Sequence, residues 1–377
     1  MIPLLFEAHY DPSSEQYPAR LSLGRLSDAL SCVITEDLNG CYELEITYPV
    51  NGLYTAQLMQ PCTIAALRPY ADGNEYKREL AWFDVYRRTI ENGIMTVNAY
   101  HISYRLSRYA VYRLPGTQTT ASGAAGAICN VYNVMPTGLI DLGAIRVTAD
   151  PIPIGAGYFV FSGVKSCREY LFDDTYSVRK VFKAEPIYHG TSLHLAERRG
   201  EDRGVEIRYG KNLTGGTITR DETESYNALY AYYKRSDGFL IDAVVYSDPQ
   251  ISPVNLHAVD FGSYFDAEPT AAQVRAVAEQ YMADNTPWLS RETADITFDP
   301  DWQQGAAGGT VREVIDLGDT VSVFYGDADL AGAKLRVVRI RYDVLLEHFS
   351  EFTLGQLERG YAVTSRDGLS ATRQIMA

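Results

Sequence analysis

The chain has 377 residues, and its 34 Lys and Arg against 48 Asp and Glu give a formal net charge of −14. This balance argues against a general nucleic-acid-binding protein, because affinity for phosphate comes from clustered Lys and Arg. A content of 46% hydrophobic and 22% charged residues is typical of a globular protein, and the length predicts about two to four domains.

Cysteine usage and the N-terminus exclude further classes. The five cysteines are scattered and form no C-x-x-C pair, so neither a disulfide framework nor a zinc site is predicted: Cys32, Cys41, Cys62, Cys129 and Cys167. Glu7 and His9 interrupt the apolar start, which has no basic region and is therefore not a signal peptide. No apolar run approaches the roughly 18 residues of a spanning helix. We expect a protein that folds in a cytoplasm.

The first predicted unit is β and covers residues 1–111. Alternating residues on both sides of Asn39-Gly40 predict a hairpin over Leu30–Tyr48, because Asn-Gly adopts the positive φ angles of a tight turn. Further strands are predicted at Cys62–Leu67, Ala81–Arg88 and Ile94–Tyr100. Short antiparallel strands of this kind close most easily as a small barrel. The surplus of 28 Tyr over 13 Phe fits either a β-rich protein or wet interfaces.

A helix-containing α+β domain is predicted over residues 112–190. The Ala-rich stretch from Thr120 to Val134 is compatible with a helix, and a second helix is predicted to start near Ser162. That second helix would carry Val164, Cys167 and Leu171 on one face.

A second β-barrel is predicted in two parts, residues 191–247 and 308–357, flanking an insertion over 248–307. The insertion carries the clearest helix, over 270–284, because Thr270 and Gln273 form a capping box before a periodic apolar run. Phe83–Arg88 and Leu335–Ile340 follow turns at comparable places, which hints at two related β modules. Residues 358–377 are polar and without a period, so a flexible tail is predicted.

The sequence contains no recognisable set of catalytic residues. The six histidines include no metal-binding i, i+4 pair, and neither Gly210-Lys211-Asn212 nor Asp260-Phe261-Gly262 has the context of a nucleotide site. Acidic pairs such as Glu36-Asp37 could serve a glycosidase only at a separation that sequence does not reveal. We predict no catalytic residue, no cofactor and no metal.

Three stretches together resemble the N-terminal hub region of phage tail-tip proteins, the family often labelled prophage tail endopeptidase or tail-associated lysin. The first is Glu36–Pro49 around Asn39 and Gly40, and the second is Arg199–Leu213 with Gly200, Gly204, Gly210, Lys211 and Asn212. The third combines Leu317–Val323, which contains Gly318 and Asp319, with Arg336–Leu346 and Thr353–Gly355. Their order and spacing cover nearly the whole chain to about residue 357.

This resemblance implies an α+β, mainly β protein with two related antiparallel β-barrels, helix-containing insertions and a ring-shaped homotrimeric state. Three copies would then present six barrels to a sixfold tail tube, close it, and form a gated channel for DNA at the virion tail tip. The implied partners are further copies of the chain, the distal tail ring, the tape-measure protein and a distal fibre or spike. An acidic ring would let DNA pass without holding it, and neither stable nucleic-acid binding nor membrane insertion is expected.

Two other functions stay open. In the family a lytic or receptor-binding module usually follows the hub region, whereas this chain ends at Ala377, so we expect no endopeptidase activity. One alternative is a peptidoglycan-hydrolysing tail lysin whose carboxylates escape motif recognition. The other is a saccharide-binding receptor module that uses its tyrosines together with Trp82, Trp288 and Trp302 as stacking platforms.

Overall fold

The computed structural model of the chain is mainly β with few helices, as predicted. Thirteen strands form one large sheet that curls into a half-barrel. The structure describes residues 2–8, 10–12, 21–38, 40–113, 116–130, 134–135, 145–154, 158–161, 163–173, 176–208, 211–221, 226–247, 255–262, 265, 268–285, 291–298, 301–303, 310–325 and 330–355.

The N-terminal half of the large sheet is an antiparallel unit with one short helix. Along β3, β4 and β7 every second residue is buried, because successive side chains of a strand point to opposite faces. The hairpin between β6 and β7 turns at Asn92 and Gly93, which both have positive φ. The elements are β1 (Leu4–Glu7), β2 (Gly24–Arg25), β3 (Ser31–Asp37), β4 (Tyr42–Pro49), α1 (Thr55–Leu58), β5 (Cys62–Asp72), β6 (Glu75–Glu91) and β7 (Ile94–His101).

The middle of the chain combines short helices with two three-stranded sheets, in the orders β10-β13-β12 and β11-β8-β9. It begins with a 3-10 helix over Ile102–Arg108. The other elements are β8 (Ala110–Val111), α2 (Ala121–Ile128), β9 (Val134–Met135), β10 (Arg146–Ala149), β11 (Lys165–Ser166), α3 (Cys167–Phe172), α4 (Val178–Val181), β12 (Glu185–His189) and β13 (Ser192–Ala196).

Two helix predictions in this region need correction. Helix α2 ends at Ile128, before the predicted Val134. Helix α3 begins at Cys167 rather than near Ser162, which lies outside the described residues. The start is set by Ser166, whose hydroxyl accepts from the Glu169 backbone N–H while the Glu169 carboxylate accepts from the Ser166 N–H, a capping box that the sequence analysis overlooked.

The C-terminal half of the large sheet is built from distant segments. Its path runs β15-β19-β24-β23, and β22 pairs with both β23 and β14. Strand β19 lies within the predicted insertion yet pairs with β15 and β24. The strands of this half are β14 (Asp202–Arg208), β15 (Leu213–Asp221), β19 (Arg291–Phe298), β22 (Thr320–Tyr325), β23 (Leu330–Asp343) and β24 (His348–Gly355). Strands β20 (Asp301–Gln303) and β21 (Thr310–Arg312) form a separate two-stranded sheet.

Strand β23 joins the two halves. Its residues Arg339 to Asp343 pair antiparallel with Asp37 to Val33 of β3, while its other edge pairs with β24. The meanders β5-β6-β7 and β22-β23-β24 are both antiparallel, and on their middle strands Phe83 pairs with Ile64 and Leu335 pairs with Val321. The two halves therefore share one continuous sheet.

A separate unit lies between β15 and β19. It contains β16 (Ala228–Lys234), β17 (Leu240–Tyr246), β18 (Leu256–Asp260) and α5 (Ala271–Asn285). Helix α5 starts as predicted, because the Thr270 hydroxyl accepts from the Gln273 N–H and the Gln273 side chain accepts from the Thr270 N–H. Strands β16 and β17, predicted with the second barrel, instead share this helix's own apolar cluster, which includes Leu229, Ala231, Val245, Phe261, Val274, Ala278 and Met282.

Among the described residues, no helix is long and apolar enough to cross a membrane.

Candidate functional site: a buried junction of motif residues

Two of the motif blocks touch backbone to backbone just before strands β14 and β22. Gly200 and Gly318 have φ angles of +78° and +89°, in the left-handed region that favours glycine. A Cβ atom built on Gly200 would lie 2.2 Å from the Gly318 carbonyl carbon, and one on Gly318 would lie 2.5 Å from the Arg199 carbonyl oxygen. Only glycine fits at either position, which explains why both motif blocks carry glycine there.

Asp319 ties the two touching segments together. Its Oδ1 accepts from the Glu201 N–H at 2.7 Å, and its Oδ2 accepts from the Asp316 N–H at 2.8 Å and from Arg203 Nε at 2.9 Å. Burial raises the pKa of the Asp319 carboxyl, although the hydrogen bonds from these donors lower it in part. The side chain acts as a buried connector between the loops that precede β14 and β22.

Arg336, on the central strand β23, caps the same contact. Its guanidinium donates to the carbonyls of Gly318 at 2.9 Å and Arg199 at 2.6 Å, the two residues whose backbones approach. It also forms a bidentate pair with the Glu185 carboxylate at 2.8 and 2.9 Å. Bidentate Arg–carboxylate pairs fix orientation as well as adding energy, so β23 holds both loops in one arrangement.

A second, deeper ion network joins this junction to the N-terminal half. Glu36 and Arg68 are fully buried, and the Glu36 carboxylate lies 2.5 Å from Arg68 Nη2 and 2.6 Å from Arg199 Nη1. Arg68 also reaches Asp316 Oδ1 at 3.1 Å. Burial lowers the pKa of Arg68, but Glu36, Tyr42 and Asp316 more than offset it and raise the pKa above its usual range. Four distant segments therefore meet around alternating charges.

The Lys211-Asn212 pair forms a third contact, at the turn between β14 and β15. Lys211 Nζ donates to Glu313 Oε1 at 2.6 Å, and Asn212 Nδ2 donates to Glu313 Oε2 at 2.5 Å. Asn212 Oδ1 also accepts from the Arg208 N–H at 3.0 Å. These side chains close a turn and bind the segment before β22, which favours a structural role over phosphate binding.

The remaining motif residues lie elsewhere. Gly204 has a φ of +71° at an irregular place in the β14–β22 pairing, and a Cβ there would meet nothing within 4 Å. Gly40, at the tip of the first hairpin, offers its carbonyl to Tyr188 Oη at 3.2 Å and Arg168 Nη2 at 3.3 Å, which links that tip to the helical region. Asn39 and Gly210 lie outside the described residues.

The titratable groups of the described residues do not favour nucleophilic chemistry. Burial lowers the pKa of His101 to about 3, so its ring is neutral at pH 7. Burial, followed by nearby Glu43 and Asp37, raises the pKa of Cys41 to about 12, and burial also raises the pKa of Cys32 and Cys129. Within the described ranges, no three His, Cys, Asp or Glu side chains are grouped to hold a metal ion.

One trio on neighbouring strands has the residue types of a hydrolase relay. The Thr148 hydroxyl lies 2.9 Å from His194 Nδ1, and His194 Nε2 lies 3.1 Å from Asp150 Oδ1. The His194 and Asp150 side chains are 36% and 42% exposed, so water competes for both contacts. The trio follows from the parallel register of β10 and β13, which sets Thr148 opposite His194.

Among the described residues, the tryptophans form no exposed stacking platform. Trp82 is buried and packs against Phe6 and Tyr10, with ring centroids 5.1 and 5.4 Å apart. Trp288 and the Trp302 side chain lie outside the described residues.

The sequence analysis missed most of the junction's charges. Glu36 was detectable, since it continues the inward series of Cys32 and Ile34 along β3, where a carboxylate needs a buried partner. The pairing itself gave no sequence signal, because the partners lie on separate segments: Arg68, Glu185, Arg199, Asp316 and Arg336.

Comparison with solved structures shows which proteins share this fold over their whole length. The similar structures are prophage tail protein gp18 from Listeria monocytogenes EGD-e (TM-score 0.54, 11% identity, 99% of this chain and 98% of that chain covered), the 43 kDa tail protein of prophage MuSo2 from Shewanella oneidensis (0.54, 14%, 94% and 98%) and a tail protein from Neisseria meningitidis MC58 (0.53, 11%, 100% and 99%). At these identities the likeness shows a common fold. No protein-family model and no curated protein sequence matches the chain.

Proposed function

We propose that this chain is a structural protein of a phage or prophage tail, and specifically a baseplate hub or tail-tip adaptor. The observation that carries the proposal is the end-to-end likeness to three tail proteins from three bacteria, which covers at least 94% of this chain in each case. The three motif blocks of the hub resemblance agree with it.

The proposed assembly is a ring-shaped homotrimer that matches a sixfold tail ring to a threefold tip. Two antiparallel meanders of three strands, β5-β6-β7 and β22-β23-β24, support two barrel-like modules per chain. The buried junction supports a fixed angle between them, because Arg199 and Asp316 of the C-terminal half pair with Glu36 and Arg68 of the N-terminal half. In such a ring the domain division 1–111, 112–190, 191–247 with 308–357, and 248–307 stays a prediction, apart from β16 and β17, which pack with α5, and β19, which pairs in the large sheet.

The proposed ring forms a gated channel for DNA during ejection. A net charge of −14 supports passage without retention, because an acidic lumen repels phosphate. We expect no shift of duplex DNA in a gel at about 0.15 M salt, where the screening length is about 8 Å. Retention of the duplex would contradict a repelling channel.

The proposed location is the virion tail tip, after assembly in the bacterial cytoplasm. The proposed partners, besides further copies of the chain, are the distal tail ring, the tape-measure protein and a distal fibre or spike. Immunogold labelling of intact virions tests this placement, and label along the shaft or on the head would contradict it.

A lytic function has one observation in its favour, the Thr148–His194–Asp150 trio. We propose that this trio is a strand-to-strand contact without turnover, because Thr148 is exposed and water competes for the His194 and Asp150 side chains as well. Incubation with purified peptidoglycan should release no fragments. Release that disappears in the Thr148→Val variant would establish the lytic function instead.

The oligomeric state is the decisive test of the hub proposal. Light scattering over a dilution series should give a stable species near three times 42.0 kDa, and electron microscopy of that species should show a central channel. A monomer at every concentration would contradict a self-assembled hub.

A further inference from the structure

The chain contains three Asn-Gly sequences, at residues 39–40, 51–52 and 92–93. In such a pair the glycine backbone nitrogen can attack the side-chain amide carbon of asparagine, because no Cβ hinders its approach. A new C–N bond closes a cyclic succinimide while the amide nitrogen leaves as ammonia, carrying away the glycine N–H proton. Water then opens the ring at one of its two carbonyls and leaves aspartate or isoaspartate. The attack requires an exposed asparagine, a glycine N–H without a hydrogen bond and a backbone that is free to rotate.

The tip of the β6–β7 hairpin meets these requirements. Asn92 and Gly93 are both exposed, with φ angles of 49° and 79°. The Gly93 N–H donates to no described residue, and a Cβ built on Gly93 would meet no atom within 4 Å. The turn is closed by the pairing of Glu91 with Ile94, the last pair of the two strands. Rotation at the tip therefore leaves the buried residues of the sheet undisturbed.

The glycines of the other two pairs are held in place. The Gly52 N–H donates to the Pro49 carbonyl at 3.0 Å, and a Cβ on Gly52 would lie 2.4 Å from Cε1 of Tyr48. Gly40 is buried, and its N–H donates to the Asp37 carbonyl at 3.0 Å. Each of these nitrogens must lose its hydrogen bond before it can attack a side chain. The fold thus distinguishes three dipeptides that have the same chemistry.

We propose that Asn92 is a site of spontaneous deamidation, whereas Gly40 and Gly52 are held out of the same reaction by the fold. Water is the only co-reactant, and neither an enzyme nor a cofactor takes part. The reaction belongs to the isolated chain and does not depend on the proposed tail function, so failure of either proposal leaves the other standing. In an assembled virion, where no synthesis replaces the chain, the product would accumulate.

Deamidation would change the hairpin tip in two ways. Both products replace a neutral amide by a carboxylate beside the exposed Glu91, in a chain whose net charge is already −14. Isoaspartate also adds its Cβ carbon to the main chain, so the two-residue turn no longer fits between Glu91 and Ile94. The Val50 N–H donates to the Gly93 carbonyl at 3.0 Å, and a displaced turn would break this link to the segment after β4.

The first experiment compares the sites within one chain. The purified protein is kept in mildly alkaline buffer, sampled over time, digested and examined by mass spectrometry for the replacement of NH2 by OH at each asparagine. Asn92 should react at least about tenfold faster than Asn51, because Gly52 must first give up its hydrogen bond and its contact with Tyr48. Equal rates, or a faster reaction at Asn51, would overturn the proposal.

Unfolding the chain provides the matched control. In concentrated guanidinium chloride the three pairs lose their structural differences, so their rates should converge. A preference for Asn92 that has the same size in the folded and the unfolded chain would show that flanking residues decide the rate, and the structural argument would then be wrong.

The second experiment tests the effect on the turn by hydrogen exchange. Aged protein rich in isoaspartate should exchange faster than fresh protein at the end of the β6–β7 hairpin, around Glu91 and Ile94. The fresh Asn92→Asp variant carries the charge without the longer main chain and should keep the exchange of the wild type, because Asp also accepts a positive φ. Unchanged exchange in the aged protein would overturn the assigned effect on the turn.

Discussion

The buried junction and the inserted unit with helix α5 are stabilised in opposite ways. In the junction, charged residues 163 and 248 positions apart in the chain meet with almost no exposure, as Glu36 with Arg199 and Arg68 with Asp316. In the inserted unit, residues within a single stretch of chain bury apolar side chains such as Val274 and Met282. Ion pairs and glycine contacts admit one geometry, whereas an apolar core tolerates adjustment, so the junction sets the relation between the halves.

Breaking the junction at its centre should have the largest effect. Glu36→Ala leaves Arg68 and Arg199 buried without their shared carboxylate and should lower the free energy of unfolding by about 3 to 5 kcal/mol. Urea unfolding measures it. The matched control is the neighbouring Asp37→Asn, which removes a pair with the half-exposed Arg339 and should cost at most about 1 kcal/mol. Equal losses for the two variants would mean that burial does not matter here.

The close backbone approach should be nearly as sensitive. Gly200→Ala combines a positive φ with a Cβ 2.2 Å from the Gly318 carbonyl carbon, and we expect a loss of about 2 to 4 kcal/mol. Gly204 also has a positive φ, but a Cβ there meets no atom within 4 Å, so Gly204→Ala should lower the free energy of unfolding by only about 1 kcal/mol. Thermal unfolding of both variants separates the effect of contact from that of backbone conformation, and identical melting temperatures would contradict the steric argument.

A cavity in the inserted unit should stay local. Met282→Ala removes a buried side chain and should destabilise that unit by about 2 to 3 kcal/mol. Hydrogen exchange should quicken in β16, β17 and α5 while β3 and β23 keep their protection. Exchange that quickens equally in both regions would show that the two cores unfold together.

The smallest effect expected is a pH dependence at the Asp84–Arg105 pair. Burial raises the pKa of Asp84, but hydrogen bonds from Arg105 at 2.7 Å and from Thr63 outweigh it and hold the pKa below its usual value. Because the folded pKa lies below the unfolded one, the stabilisation is present above about pH 4 and is lost as pH falls through the folded pKa.

Asp84→Asn should therefore lower the free energy of unfolding by about 1.5 to 3 kcal/mol at pH 7. The difference in unfolding free energy between the variant and the wild type should become smaller in acid. Urea unfolding at pH 7 and pH 3 measures both values. A gap that widens in acid would contradict the assigned direction. Asp72→Asn, at an exposed pair with Lys77, serves as the control and should show no measurable change.

The sequence by itself determined the local elements. Alternation over Leu30–Tyr48 specified a hairpin, and the Thr270–Gln273 capping box placed the start of α5, because each signal acts between residues a few positions apart. The mainly β class and the fold shared with tail proteins followed from these signals and from the three motif blocks. The overlooked Ser166–Glu169 capping box was equally local and could have been found.

Only the tertiary structure decided which distant segments meet. Strand β23 pairs with β3 across the chain, β19 joins the second half instead of the insertion, and Gly200 lies against Gly318. The partners of Glu36 come from β5 and from the loop before β14, at separations where no periodic pattern reaches. Long-range pairing depends on the shape that all the elements adopt together, and a sequence pattern read in short windows carries no record of that shape.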